Sequence, residues 1–305
     1  MSPTDTDGTI VPATASDNDR GFVSAKPNRS FTVENFREEC KAWDDWDKPA
    51  SPYRIMGHAW YVGTCGISSI LLASEDGHIL IDSGTEEGAQ HVLANIGFLG
   101  FDPRDVRFLL HSHEHHDHVG GHAAIVRATG AQVVASPAAA EVLQTGRVGE
   151  TDPQQAIHPA MAPVQVARVM ADGEVLSLGP WELTAHLTPG HSPGSMSWSW
   201  WAASLPNEPP VSRKIVYADS ASAVSGDAYR FTGNPDYVAR FSSALDTLGA
   251  IYPCDVLITP HPAASGPEWP LQWSKPAEPT ACALYATKAR RGLDARLAKE
   301  RADSE

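Results

Sequence analysis

His113-Glu114-His115-His116-Asp117-His118 closes the run Arg107-Phe108-Leu109-Leu110-His111-Ser112. A short apolar run of Phe and Leu that gives way abruptly to polar residues reads as a buried strand running into a loop. In extended chain, side chains two apart share a face, so His113, His115 and Asp117 point one way and His118 the other. That arrangement can hold two metal ions side by side, one by imidazoles and its neighbour by a mixed carboxylate and imidazole set. Imidazole and carboxylate without thiolate suit Zn²⁺ or a similar borderline divalent ion. Register matters, because six of the 13 histidines lie between His111 and His122. The pattern His-x-His-x-Asp-His needs Asp in the fifth place, and only a start at His113 puts Asp117 there. His111 and His116 therefore fall outside the expected ligand set. A solvated His-rich loop would explain the composition, but not this spacing between a strand and Gly120-Gly121.

Further ligands should sit at strand ends or in tight turns, where rigid elements fix their geometry. His191 does, in Thr188-Pro189-Gly190-His191-Ser192-Pro193-Gly194, and so does His261, in Ile258-Thr259-Pro260-His261-Pro262. His58, His78, His91, His122, His158 and His186 lack such a setting and read as surface or packing histidines.

With 305 residues, the chain can form one large α/β domain or two small ones. Its hydrophobic content of 42%, with nine Trp, is ample for a core. A formal charge of −14 argues against nucleic acid and anionic membrane as partners, since both need a basic face. No apolar run approaches the ~18 residues of a membrane-spanning helix. Residues Met1 to Asp19 carry no basic residue and no apolar core of a secretory signal. The four cysteines allow three pairings, none with metal-type C-x-x-C spacing. Two disulfides would imply an oxidising compartment, at odds with the missing signal.

Met1 to about Glu34 is polar and aperiodic and reads as a disordered lead, leaving residues 35–305 as a single domain. Tyr53–Gly57, Trp60–Thr64, Ile67–Ser74 and His78–Asp82 form a β-meander, followed by a helix over Glu86–Leu99. After the histidine segment come helix Gly121–Thr129, strand Gln132–Ser136 and helix Ala138–Thr145, then a loop from Gly149 to Pro163 long enough to act as a flap. A second meander occupies Glu174–Leu178, Trp181–Leu187, Ser195–Trp201 and Lys214–Asp219, with a hairpin tip between Ala202 and Arg213. Asp236–Leu248 reads as helix, Asp255–Thr259 as strand and Pro279–Arg301 as a charged terminal helix. Two strand-rich halves, each with helices, predict a four-layer αβ/βα sandwich: two mixed β-sheets face to face with helices outside.

With these pieces assembled, the sequence resembles the metallo-β-lactamase superfamily, and within it the subclass B3 zinc β-lactamases. The resemblance runs from about Tyr53 to the terminal helix. It rests on Tyr61-Val62-Gly63-Thr64-Cys65-Gly66-Ile67-Ser68, His113–His118, Thr188–Trp198, Tyr217-Ala218-Asp219-Ser220 and Thr259-Pro260-His261-Pro262. Position by position, it implies two Zn²⁺ per chain, one held by His113, His115 and His191, the other by Asp117, His118 and His261. It implies a hydrolase that opens β-lactam rings with hydroxide formed from zinc-bound water, conferring antibiotic resistance, with Asp117 both ligating and orienting the attacking oxygen. Ser220 and Ser222 occupy the places where this subclass binds the drug's carboxylate, and Ser220 stands where other subclasses carry a Cys ligand. Cys254 with Cys282 matches a disulfide common in the subclass, and Cys40 with Cys65 an additional bridge in some members. The expected enzyme is a periplasmic or secreted monomer, from an upstream start or after loss of a leader, acting on a small molecule. Rivals of the same fold are a lactonase or a glyoxalase-type thioesterase. Those families carry a bridging Asp near Ser220, and a register shift would give Asp219 that place. A non-catalytic zinc-binding protein ranks lower. A nuclease lacks its basic surface here, and oxygen-reducing di-iron relatives need Glu where this chain has His115.

Overall fold

The computed structural model describes residues 32–266 and 279–304. Most of the expected lead, residues 1–31, lies outside the described residues. Its last part enters a helix, α1 (Val33–Glu39), whose first turn is closed by Thr32 and Asn35 in a reciprocal capping box.

The strands are β1 (Tyr53–Met56), β2 (Ala59–Tyr61), β3 (Ile70–Leu72), β4 (His78–Ile81), β5 (Val106–Leu110), β6 (Gln132–Ala135), β7 (Val166–Val169), β8 (Val175–Leu178), β9 (Trp181–Leu187), β10 (Met196–Ala203), β11 (Ser212–Tyr217) and β12 (Val256–Ile258). They form a seven-stranded sheet ordered β1 to β7 and a five-stranded sheet ordered β12-β11-β10-β9-β8. Both are mixed. In the first, β1 to β4 pair antiparallel and β4 to β7 parallel. In the second, only β11 and β12 are parallel.

Why the apolar runs are continuous follows from the layering. A strand covered on both faces needs apolar residues at every position. In β4, Ile79 and Ile81 join the cluster between the sheets while Leu80 faces the outer helices. The same split separates Ile70 and Leu72 from Leu71, Ile215 and Tyr217 from Val216, and Val256 and Ile258 from Leu257. Outside the first sheet lie α2 (Ala89–Phe98), α4 (His122–Thr129) and α5 (Pro137–Thr145), and outside the second lie α6 (Pro235–Ala250) and α7 (Ala281–Ala302). On α6 the buried residues Tyr237, Phe241, Leu245 and Leu248 recur at helical spacing and make one stripe against the sheet. The expected four-layer αβ/βα sandwich is therefore the observed architecture.

Two local expectations change. The histidine segment does not stay extended: α3 (His116–Val119) begins inside it, with His118 and Val119 N–H groups both donating to the His115 carbonyl. Alternation of faces thus ends at His115, and Asp117 and His118 are set by a helical turn. The other is β7, which the sequence reading passed over; it is a short edge strand with no fully buried residue, so its apolar signal is weak.

The topology brings the functional segments together. Because β10 runs antiparallel to both β9 and β11, and β12 parallel to β11, strands β9, β11 and β12 end at the same rim. His191, Ser220 and His261 follow those ends, and the histidine segment follows β5. Two bonds across the sandwich lock the rims: Met196 N–H donates to the Ser112 carbonyl at 2.6 Å and Trp198 Nε1 to that of His111 at 2.9 Å. Both disulfides implied by the resemblance are formed, Cys40–Cys65 and Cys254–Cys282.

Candidate metal centre

His113, His115 and His191 offer ring nitrogens within 4.8 Å of one another, and His113, Asp117 and His118 form a second such group. His261, one of the expected ligands, approaches from the β12 side, its Nε2 3.4 Å from Asp117 Oδ2 and its ring centroid 5.0 Å from that of His118. All six expected metal residues therefore meet in one place, five of them buried and His261 partly exposed.

Three of the rings have one nitrogen occupied from behind. His113 Nδ1 lies 2.8 Å from Asp219 Oδ1, His115 Nε2 3.0 Å from Asp152 Oδ2, and His191 Nδ1 donates to the Ser222 carbonyl at 3.0 Å. Such partners fix the tautomer and leave the other nitrogen's lone pair facing the centre. For His118, Asp82 Oδ2 lies 3.4 Å from Nδ1 and Asp117 Oδ2 3.0 Å from Nε2. Asp82 itself has a left-handed φ of 60° and accepts from Ser112 N, Ser112 Oγ and Tyr217 Oη. A non-glycine residue strained in that way is held by its surroundings, a pattern common at functional sites.

The donors fit a cation. His113 Nε2 is buried with no hydrogen-bond partner, and neither nitrogen of His118 makes an aligned hydrogen bond despite the carboxylates beside it. Nitrogen and oxygen in contact but not aligned to share a proton is how two ligands of one ion approach each other. Burial pushes His113 well below the ordinary imidazole range, with His118, His115 and His191 adding to it, and burial likewise holds His115 and His191 at about 3. All three are thus neutral and able to donate lone pairs. Burial pushes Asp117 up, but His118 and the other imidazoles outweigh it and hold the carboxylate well below its usual range. Burial pushes His118 down, yet Asp117 and Asp82 outweigh it and hold it at about 10. The anions that stabilise a proton there would stabilise a bound cation equally. No Cys joins the set, and imidazole with carboxylate is zinc-type chemistry.

Glu114 is buried between the two ligand segments, accepting from Ser192 Oγ at 2.6 Å and Gly194 N–H at 2.8 Å. Burial, with Asp152 nearby, raises its carboxyl to about 7. The turn around His191 has room for nothing larger than glycine: a Cβ on Gly190 would run into the Phe241 ring, and one on Gly194 into Glu114 and the first turn of α5.

The chain from Thr188 to Trp198 and the rim at His113–His118 fall within residues 62–199, which match the family model described as the metallo-beta-lactamase superfamily. MIM-1 from Novosphingobium pentaromativorans, a metallo-β-lactamase of known structure, is 46% identical over 89% of this chain and 99% of its own, with a TM-score of 0.84. The chain belongs to the metallo-β-lactamase superfamily. MEM-A1, a subclass B3 metallo-β-lactamase isolated from a soil metagenome library, is 39% identical over 85% of this chain and all (100%) of its own, with a TM-score of 0.79. A hydroxyacylglutathione hydrolase of Anaeromyxobacter dehalogenans (strain 2CP-C) is 33% identical over 135 residues, 43% of this chain and 40% of that protein, so the match spans less than half of that relative. The protein is a hydrolase of the metallo-β-lactamase fold with candidate metal-binding clusters at this rim.

Several residues of this metallo-β-lactamase site escaped the sequence reading. Asp152, Gln154 and His158 all lie on the loop of residues 149–163. The Gln154 amide nitrogen lies 3.2 Å from His191 Nε2, and the His158 ring stacks on His115 at 3.9 Å between centroids. His158 is therefore not a surface or packing histidine remote from the centre. His122 does pack, buried against Ser83 Oγ at 2.8 Å, and His111 accepts from Ser136 N–H at 3.0 Å, away from the centre. Trp43 and Trp46 line a cavity of about 220 Å³ together with Gly66, His261 and Pro262. Trp46 also meets the His116 ring edge-on at 5.5 Å. The backbone of that segment is anchored where Thr64 Oγ1 donates to the Trp46 carbonyl. Of the two expected substrate-binding serines, Ser220 is buried at the rim, 8% exposed, while Ser222 Oγ lies 3.1 Å from His191 Nδ1 and buttresses that ring.

If Asp152 orients His115, its replacement by alanine should weaken metal retention by about 10–100-fold. Competition against a chromophoric chelator reads this directly, and retention within twofold of the parent would remove the orienting role.

Proposed function

We propose that the protein is a zinc-dependent β-lactam hydrolase acting on penicillins, cephalosporins or carbapenems. The observation that carries this reading is the position of Asp219, whose carboxylate is engaged behind His113 at 2.8 Å and belongs to neither candidate metal trio, with Ser220 following it at the rim. A lactonase or glyoxalase-type thioesterase carries a bridging Asp there; a carboxylate-binding site needs a hydroxyl.

On this reading His113, His115 and His191 would hold one Zn²⁺, and Asp117, His118 and His261 a second. When bound, the two ions supply Lewis acidity and ionise water near neutral pH. Asp117, held ionised, accepts a hydrogen bond from the attacking water and sets its direction. Ser220 donates a hydrogen bond to the substrate carboxylate, and Ser222, shared with His191, adds a second anchor; both position rather than activate. Asp152, Asp219, Asp82 and the Ser222 carbonyl keep the imidazoles turned inward. Trp43 and Trp46 present an apolar wall beside His261 for the substrate's side group.

Residues 35–305 would act as one domain and as a monomer. Two disulfides support an oxidising setting such as the periplasm, where the activity would confer antibiotic resistance. Among the described residues no helix is long and apolar enough to cross a membrane.

A steady-state panel of a penicillin, a cephalosporin and a carbapenem, beside a lactone and a glutathione thioester, tests the substrate class. β-Lactam turnover is expected to vanish with EDTA and return with zinc. Preference for the thioester would favour the second reading, which the similarity to the hydroxyacylglutathione hydrolase supports. Ser220→Ala should raise KM several-fold for β-lactams with kcat and zinc content little changed; loss of zinc in that variant would reassign Ser220 as a ligand.

A further inference from the structure

Beside the two trios described above lies a third cluster, formed by His116, Asp117 and His158, whose ligand atoms also fall within 4.8 Å of one another. His116 begins α3, and His158 comes from the loop 42 residues further along the chain; their Nδ1 atoms meet at 2.8 Å. His158 Nε2 is buried with no hydrogen-bond partner. Both contacts of Asp117 with the inner imidazoles, 3.0 Å to His118 and 3.4 Å to His261, run through Oδ2, which leaves Oδ1 for a further ligand role. Trp46, edge-on to His116, covers one side of the cluster.

We propose that His116 and His158, with the outer oxygen of Asp117, form a third site for a zinc-class divalent cation at the rim of the dinuclear centre. Two imidazoles and one carboxylate make a three-ligand, open set of the kind that binds Zn²⁺ or Cu²⁺ rather than Mg²⁺ or Ca²⁺. Being partly exposed and sharing its carboxylate, this site binds more weakly than the inner pair. It also clips the loop of residues 149–163 to α3. The same loop carries Asp152, which holds His115, and Gln154, which reaches His191. Filling the third site therefore holds the loop against the centre, and stripping it frees the loop while the inner ions stay in place.

The inference rests on the dinuclear reading only through Asp117, and metal counting separates the two. Protein loaded with zinc and freed of excess by gel filtration is titrated with ZnCl₂ under equilibrium dialysis, with metal measured by plasma emission. The parent is expected to keep two ions through filtration and to take up about one more on titration. His158→Ala and His116→Asn should each keep the inner two and lose the added one. In parallel, hydrogen exchange of residues 149–163 should slow on the third addition in the parent alone. Saturation of the parent at two ions, or a third ion retained by both variants, overturns the third site and leaves a plain imidazole–imidazole hydrogen bond. Fewer than two ions in the filtered parent would instead overturn the dinuclear centre. Should His158→Ala lose the inner pair, the count in His116→Asn decides.

Discussion

His115→Ala is expected to give a folded protein that has lost most of its tightly held metal and at least ~100-fold of its turnover, beyond the range for residues that merely orient ligands. The reason lies in how the ring is held. Its Nε2 faces Asp152 at 3.0 Å, so Nδ1 is the nitrogen left for the centre, in the group with His113 and His191. Alanine removes one of three imidazoles and strands a buried Asp152 carboxylate whose pKa burial already raises to about 6. It also removes the ring on which His158 stacks. Metal content by plasma emission and turnover of a chromogenic β-lactam read the effect, with far-ultraviolet circular dichroism reporting the fold. A variant that keeps both its zinc and its rate would end the assignment of His115.

Trp198→Ala should be the most destabilising single change in the core, by roughly 3–5 kcal/mol. Trp198 is fully buried on β10, in the cluster between the sheets with Tyr53, Tyr61 and Tyr217. Its truncation leaves a cavity between two rigid sheets that cannot close on it. It also deletes the 2.9 Å bond from Nε1 to the His111 carbonyl, one of the two ties that hold the histidine segment to the second sheet. Denaturant unfolding of parent and variant in the same metal-loaded state measures the loss, and a change under 1 kcal/mol would mean that the sheets are free to collapse. The two experiments separate chemistry from scaffold: His115→Ala is read chiefly in metal content, Trp198→Ala chiefly in stability.

What the sequence revealed follows physical lines. The strands were legible because covering both faces demands unbroken apolar runs such as Ile70–Leu72 and Val256–Ile258, which turn residues then end abruptly. The fold brings the six expected metal residues together: spacing after a strand singled out His113, His115, Asp117 and His118, and Gly- and Pro-bounded turns singled out His191 and His261. Less legible were groups whose position depends on tertiary contact. Nothing local marks Asp82, whose strained backbone is visible only in three dimensions. Asp152, Gln154 and His158 lie in a loop without periodicity, and their relation to the centre exists only once the loop folds back over it. Alternation was carried too far at Asp117 and His118, where a helical turn replaces the extended path. Ser222 has the hydroxyl the reading looked for, but the His191 ring shares it.

The loop with Asp152, Gln154 and His158 has an implication for descent and for engineering. In most enzymes, a surface excursion can be exchanged to alter selectivity while the reactive machinery stays as it was. Here the excursion also supplies the brace of one imidazole and a neighbour of another. Exchanging this loop should therefore change metal retention together with substrate selection, so the two cannot be tuned apart.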